Sequence, residues 1–225
     1  NVTVPHKVAV IPYLDEMDPT ATAAGAVNTI LNLNGKLIGH NTDTYGFLQG
    51  LKIERRFECR DKRVLVLGAG GAARGVLQAL VQERVIECVI ANRTLHRAER
   101  LAATGLQMGI DCKSIGMAWE ELSLAAVNAD LIVNCTTIGM AHTLNEGDSP
   151  LQPQQIPPGA LVYDLVYNPL VTPLIRAAAR AGADTLGGIH MLVYQGAASF
   201  ELWLGSEAPV EVMMQAAVNA MSGDD

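Results

Sequence analysis

The sequence predicts an α/β protein built around a doubly wound parallel sheet, and three observations carry that expectation. Apolar runs at Val64–Leu67, Cys88–Ala91, Leu131–Cys135 and Leu161–Tyr163 alternate with stretches of helical pattern. That is the order in which parallel strands and their crossover helices are laid down. The first run is continuously apolar, as a strand covered on both faces must be. The 225 residues are 49% hydrophobic but only 4% aromatic, so the core is built mainly from Ala, Val, Leu and Ile. Such a core suits a sheet enclosed between Ala-rich helices, in one large domain or two small ones.

Taken in order, Asn1–Val4 reads as the end of a strand, with Pro5 opening a helix in its favoured first turn. Asp18 and Pro19 open a second short helix, the carboxylate as cap and the proline at the first helical position. Asn34-Gly35, between Thr29–Leu33 and Lys36–His40, is the strongest short hairpin signal, because both turn residues must take positive φ. A helix is expected from Thr42 to Lys52. The polar stretch Glu54–Lys62 interrupts the apolar pattern and suggests a domain boundary, after which Val64–Leu67 begins the strand–helix alternation. The tail from Met191 reads as two helices.

Net charge is −7 and no Lys/Arg run reaches four residues, which argues against a nucleic-acid face. Cys59, Cys88, Cys112 and Cys135 form no C-x-x-C pair and none stands at zinc-ligand spacing from a histidine. No metal is therefore expected, and a reducing, cytoplasmic setting fits best. Neither a signal peptide nor an apolar run of the ~18 residues that a membrane span needs is expected. The chain opens at Asn1 directly inside a motif, so the expectation is a chain without its natural start.

Directly after Val64–Leu67 stand Gly68, Ala69, Gly70, Gly71, Ala72 and Ala73, a G-x-G-x-x-A match between a buried-type strand and an Ala-rich helix. The first glycine permits the tight turn, the second lets backbone approach a pyrophosphate, and the small last residue lets helix and strand pack closely. The helix N-terminus offers the anion free N–H groups and a partial positive charge. An NAD site would place an Asp or Glu at the end of the second strand. Here Ala91 is followed by Asn92, Arg93 and Thr94, with Arg97 one turn along. Guanidinium groups suit a 2′-phosphate dianion, so NADP is the expected cofactor. The plainer alternative is a solvated loop in which Thr94 caps the next helix.

Hydride transfer to or from a secondary alcohol needs a group that supplies and removes the hydroxyl proton. Asn1-Val2-Thr3-Val4-Pro5-His6-Lys7 and Asn41-Thr42-Asp43 offer an amine and a carboxylate. Taken singly, Lys7 reads as a surface lysine and Asp43 as a helix cap; the sequence does not show that they meet.

Several motifs in one order carry a resemblance over essentially the whole chain. They are the Lys7 and Asp43 segments, Gly25-Ala26-Val27-Asn28-Thr29, the glycine loop, Asn92-Arg93-Thr94, Asn134–Met140, Asp164–Pro169 and Gly188–Ala197. Together they resemble the shikimate dehydrogenase family. The resemblance implies reduction of 3-dehydroshikimate with NADPH on the route to aromatic amino acids. It makes Lys7 the acid/base and Asp43 its charge partner. Thr3, Asn28, Tyr167 and Gln195 would bond the substrate's hydroxyls. Thr136, Leu165, Gly188 and Met191 would border the cofactor, the last three near the nicotinamide. It also implies a substrate domain made of 1–43 and 188–225 around a Rossmann-type NADP domain at 44–187, as a monomer or homodimer.

Two departures stand out. The family usually begins with a strand–helix segment whose two serines bind the substrate carboxylate, and nothing in this sequence supplies it, so an inactive polypeptide is one expectation. Thr44 and His190 stand where relatives commonly carry glycine and a small residue. Rival readings are an NAD-dependent quinate/shikimate dehydrogenase, a relative of methylenetetrahydrofolate dehydrogenase/cyclohydrolase, and a non-catalytic binding protein.

Overall fold

The computed structural model describes residues 1–222; residues 223–225, the end of the segment expected in the substrate domain, lie outside the described residues. The chain opens with a run of turns that includes a short 3-10 segment at Ile11–Tyr13 and leads to β1 (Glu16–Met17) and α1 (Pro19–Ala24). The hairpin β2 (Thr29–Leu33) and β3 (Lys36–His40) follows, then α2 (Asp43–Gln49), which continues as a π-type turn over Gly50–Glu54. β4 (Arg63–Leu67), α3 (Gly71–Glu83), β5 (Glu87–Ala91), α4 (Leu95–Gln107), β6 (Asp111–Ile115), α5 (Trp119–Val127), β7 (Leu131–Asn134), β8 (Leu161–Asp164), α6 (Pro173–Ala181) and β9 (Asp184–Gly187) then alternate. α7 (Ile189–Leu204) and α8 (Val210–Ser222) close the described chain.

Two sheets result. A three-stranded sheet has the order β1-β3-β2, and a six-stranded one has the order β6-β5-β4-β7-β8-β9 with every pairing parallel. Counted from β4, the second is the Rossmann-type order, whose ligand crevice opens at the carboxyl ends where strand order reverses. That switch lies between β4 and β7. Alternate side chains of the sheet feed two cores. Val64, Val66, Ile90, Leu131 and Tyr163 face α2, α3 and α4, while Leu65, Leu67, Ile132 and Val162 face α5 and α6. Residues such as Leu65 and Leu131 are fully buried, worth roughly 1.5–3 kcal/mol each in transfer free energy.

The start of the chain differs from the sequence expectation. Asn1–Val4 forms no ladder; one backbone bond, from Val2 N to Asn28 O at 2.6 Å, anchors it. No helix grows from Pro5, because the Lys7 carbonyl that would accept from Ile11 is taken by Val27 N at 2.8 Å. The expected cap of α1 is present, Asp18 Oδ1 accepting from Ala21 N at 2.9 Å. The hairpin turn has φ of 54° at Asn34 and 94° at Gly35, as both positions require. The helix expected over 42–52 is regular only to Gln49, and at Gly50 a Cβ would stand 2.3 Å from the Tyr163 hydroxyl oxygen. β6 and β9 escape a reading based on apolar runs because they are the sheet's edges, where polar residues such as Asp111, Lys113 and Asp184 face solvent.

Candidate active site

Lys7 and Asp43, 36 residues apart, meet: Nζ lies 2.5 Å from Oδ2, with side chains 12% and 2% exposed. Lys7 is held by its carbonyl bond to Val27, beside the start of β2. Asp43 is the first residue of α2, where Asn41 Oδ1 accepts from its N–H at 3.0 Å and the helix dipole favours a carboxylate. The other carboxylate oxygen, Oδ1, accepts from Asn28 Nδ2 at 3.0 Å, and the same nitrogen lies 3.0 Å from Gln195 Oε1. The turn segment, the hairpin, α2 and α7 thus each contribute one member to a single polar cluster. Thr3 is exposed four residues before Lys7, its carbonyl accepting from His6 N at 2.8 Å. Tyr167 is half-buried on the loop after β8, and no hydrogen bond among the described residues ties it to the cluster.

The glycine loop lies against this cluster. A Cβ on Gly71 would stand 3.0 Å from Lys7 Cβ, and one on Gly75, a turn further along α3, 2.9 Å from Asp43 Cβ. Gly68 has a φ of +105°, a conformation that only glycine takes without strain, and its α-carbon faces the Thr136 methyl, 3.1 Å from where a Cβ would be. At Gly70 nothing lies within 4 Å of a would-be Cβ, so backbone is open to an approaching anion at the start of α3. Ala69 and Ala72 flank it, both half-buried. At the end of β5, Asn92 Nδ2 donates to Thr94 O at 2.9 Å and closes the turn. Thr94 precedes α4 but makes no side-chain cap bond, so the plain capping role is not the one it fills. Arg93 and Arg97 are exposed, and neither enters an ion pair among the described residues.

Of the remaining expected residues, Leu165 follows β8, Gly188 follows β9 and Met191 lies on α7. Gly188 abuts Leu165, whose carbonyl oxygen would be 2.3 Å from a Cβ there. Met191 is buried on the first turn of α7, and its carbonyl and Gln195 press against Gly46 of α2. Thr44 and His190 have definite surroundings. Thr44 donates its hydroxyl to Gly75 O at 3.0 Å, and His190 Nδ1 stands 3.2 Å from Glu54 Oε1, which also accepts from the Tyr194 hydroxyl at 2.9 Å.

Several polar residues, among them the first residues of two of the resemblance motifs, were given no role by the sequence. Asn134 Oδ1 accepts from Thr136 N and Oγ1 at 3.0 and 2.7 Å, and Asn134 Nδ2 donates to Asp164 Oδ1 at 2.9 Å. Asp164, wholly buried, also accepts from Val166 N at 3.1 Å and Thr172 Oγ1 at 2.6 Å. Burial pushes its carboxyl up to about 6 in spite of those three bonds. Burial, with Asp164 and Asp43 nearby, raises the Cys135 thiol as well. The available signal was that Asn134 and Asp164 each end a strand and open one of the resemblance motifs.

Family models described as shikimate dehydrogenase substrate binding domain, shikimate/quinate 5-dehydrogenase and shikimate 5′-dehydrogenase C-terminal domain match residues 1–30, 52–152 and 188–218. A shikimate dehydrogenase (NADP(+)) from Methanopyrus kandleri is 48% identical over 218 residues, which is 96% of this chain and 74% of that protein. The chain belongs to the shikimate dehydrogenase family. Solved structures of family members superpose on it closely. One, in complex with NADP+, gives a TM-score of 0.89 at 38% identity over 98% of this chain and 76% of that one. The Thermus thermophilus shikimate 5-dehydrogenase, in complex with NADP(H) and shikimate, gives 0.85 at 38% identity over 98% and 78%. No helix among the described residues is long and apolar enough to cross a membrane.

Proposed function

We propose that this chain is an NADP-dependent shikimate dehydrogenase, an oxidoreductase acting on a CH–OH group, that reversibly reduces 3-dehydroshikimate to shikimate on the route to aromatic amino acids. One observation carries the reading: the Lys7–Asp43 pair, 2.5 Å apart, is packed directly on Gly71 of the glycine loop. An ammonium group with an orienting carboxylate therefore sits beside the expected dinucleotide site. The residues fit NADP: Gly70 leaves backbone open to a pyrophosphate, and Arg93 and Arg97 stand free where an NAD site would carry an acid. When bound, NADPH supplies the hydride.

Lys7 gives a proton to the carbonyl oxygen as negative charge develops there and takes it back in the reverse direction. Asp43 holds the ammonium in place. The amides of Asn28 and Gln195, with Thr3 and Tyr167, bond the ring hydroxyls; a ring that lacks one leaves a buried polar group unmatched and is rejected. Thr136, Leu165, Gly188 and Met191 border the cofactor. The three-stranded sheet with α7 and α8 forms the substrate domain (1–43 and 188–225), and the six-stranded sheet forms the NADP domain (44–187). The same reading takes shikimate and 3-dehydroshikimate as ligands and a cytoplasmic monomer or homodimer as the working form.

The test is NADPH oxidation with 3-dehydroshikimate, compared with 3-dehydroquinate and with NADH. Turnover of 3-dehydroshikimate with NADPH well above the other combinations is expected. A preference for 3-dehydroquinate with NADH would assign the chain to the quinate branch, and absence of turnover with either acid would remove the catalytic reading.

A further inference from the structure

Asn28 Nδ2 has two hydrogens and three acceptors around it: Asp43 Oδ1 and Gln195 Oε1, each at 3.0 Å, and Thr42 Oγ1 at 2.7 Å. Which of its amide atoms faces Asp43 matters, because a flipped amide would set its oxygen against the carboxylate. The other contacts of Asn28 settle the orientation. Its Oδ1 accepts from Thr42 N at 2.8 Å and from the Thr29 hydroxyl at 3.1 Å.

Beneath Asn28 lies Ser199, a fully buried residue on α7 that the sequence reading passed over. Its Oγ is 2.7 Å from Thr29 Oγ1 and 3.2 Å from Thr42 Oγ1. One set of donor directions engages all four side chains. In it the Thr29 proton goes to Asn28 Oδ1, Ser199 donates to Thr29, and Thr42, which accepts from Asn28, donates to Ser199. The result is a closed ring of four side chains: Asn28 to Thr42 to Ser199 to Thr29 and back to Asn28. All four are buried, at 1%, 5%, 0% and 0% exposure, so water cannot replace a missing member. Asn1 Nδ2 adds donors to Ser199 and Thr29 at 3.1 and 3.2 Å without reversing any direction in the ring. The Gln195 carbonyl, 3.0 Å from Ser199 Oγ, is the competing acceptor for the serine proton.

We propose that Ser199 is a positioning residue for the reaction: it closes a one-way hydrogen-bond ring that holds one Asn28 N–H on Thr42 and so aims the other at the Asp43 and Gln195 oxygens. The ring joins α7 to the hairpin and to the start of α2, so it sets the spacing of the substrate-binding amides without touching the glycine loop. Hydrogen bonds linked head to tail polarise one another, and opening any one link weakens the rest. The substrate side of this inference rests on the dehydrogenase reading; the ring itself does not.

The test combines kinetics with a ligand-free readout. S199A and T29V each open the ring with little change of volume. Either should raise KM for 3-dehydroshikimate about fivefold, the size of one lost net hydrogen bond, with KM for NADPH close to wild type. The double variant should be little worse than either single one, since an opened ring has no second lock to lose. T29S, which keeps the hydroxyl, should restore the wild-type KM. In ligand-free protein the Asn28 side-chain amide protons should resist exchange with water in nuclear magnetic resonance spectra, and lose that protection in S199A. Fully additive effects, equal shifts in both KM values, or an Asn28 amide unchanged by S199A would overturn the proposal. If wild type turns over no 3-dehydroshikimate, the functional reading falls while the amide measurement still decides the ring.

Discussion

The two halves of the crevice are built in opposite ways. The proposed cofactor side is almost contiguous, with Gly68–Ala72 and the helix behind them following β4 within one strand–turn–helix unit. The proposed substrate side gathers Lys7, Asn28, Asp43 and Gln195 from four segments up to 188 residues apart in numbering, held by side-chain bonds of 2.5–3.0 Å. A contiguous site needs only local backbone conformation and a strand to stand on. A convergent one needs each element to pack correctly before the side chains meet, and here glycines at 46, 71 and 75 provide the close approaches. The lesson is that the two sides should respond to substitution differently, and each of the following measurements can break that distinction or sharpen it.

The largest effect belongs to the convergent side. Lys7→Ala should lower turnover about 10²–10⁴-fold while leaving NADPH binding near wild type; a loss below about threefold would mean the proton moves elsewhere. On the contiguous side, Arg93→Ala removes a charge-assisted bond worth roughly 1.5–3 kcal/mol, or about 10–100-fold in NADPH affinity. NADH binding and KM for the keto acid should hardly change. Equal weakening of NADH and NADPH would withdraw the 2′-phosphate assignment.

Asp164 ends β8, bonded to Asn134, Val166 and Thr172, and its effect is one of stability. Its carboxyl is raised to about 6 by burial, so the folded state binds a proton that the unfolded chain releases at ordinary carboxylate pH. That contribution is fully present below the unfolded value of about 4, lost as pH rises through about 6, and flat above. Thermal melting of wild type should therefore fall relative to Asp164→Asn as pH is raised across that window, and parallel profiles would show that the buried group does not titrate there. The smallest effect is local. Gly35→Ala places a side chain at φ +94° in an open turn, costing about 1–2 kcal/mol of stability with no change in KM for either substrate. Any loss of NADPH affinity there would contradict the independence of the two sides.

Much of this division was legible in the residues. The Asn34-Gly35 hairpin, the Asp18 cap and the strand before the glycine loop are short-range features, governed by φ/ψ limits and by the continuous apolar character of a twice-covered strand. The edge strands β6 and β9 were not legible, because half-exposed strands carry polar residues that mimic loops. Only the resemblance paired Lys7 with Asp43; the Lys7 backbone was expected in a helix, and a single long-range bond from Val27 to its carbonyl prevents one. Ser199 gave no signal beyond its position and Asp164 none beyond opening a motif, since a serine or aspartate in an apolar run looks the same whether it is a tolerated side chain or the hub of a buried network.

The sequence by itself determined the alternation of strands and helices, the glycine turn and the guanidinium groups where an NAD site would carry an acid. These depend on neighbours within a few residues, where sterics, capping and apolar period act without regard to the rest of the chain. Only the tertiary structure decided that Lys7 reaches Asp43, that α3 is bare of side chains where the pair rests, and that four hydroxyl and amide groups close into a ring. Those contacts join residues that share no local interaction, and they form because burial leaves each polar atom no partner other than the one packing brings to it.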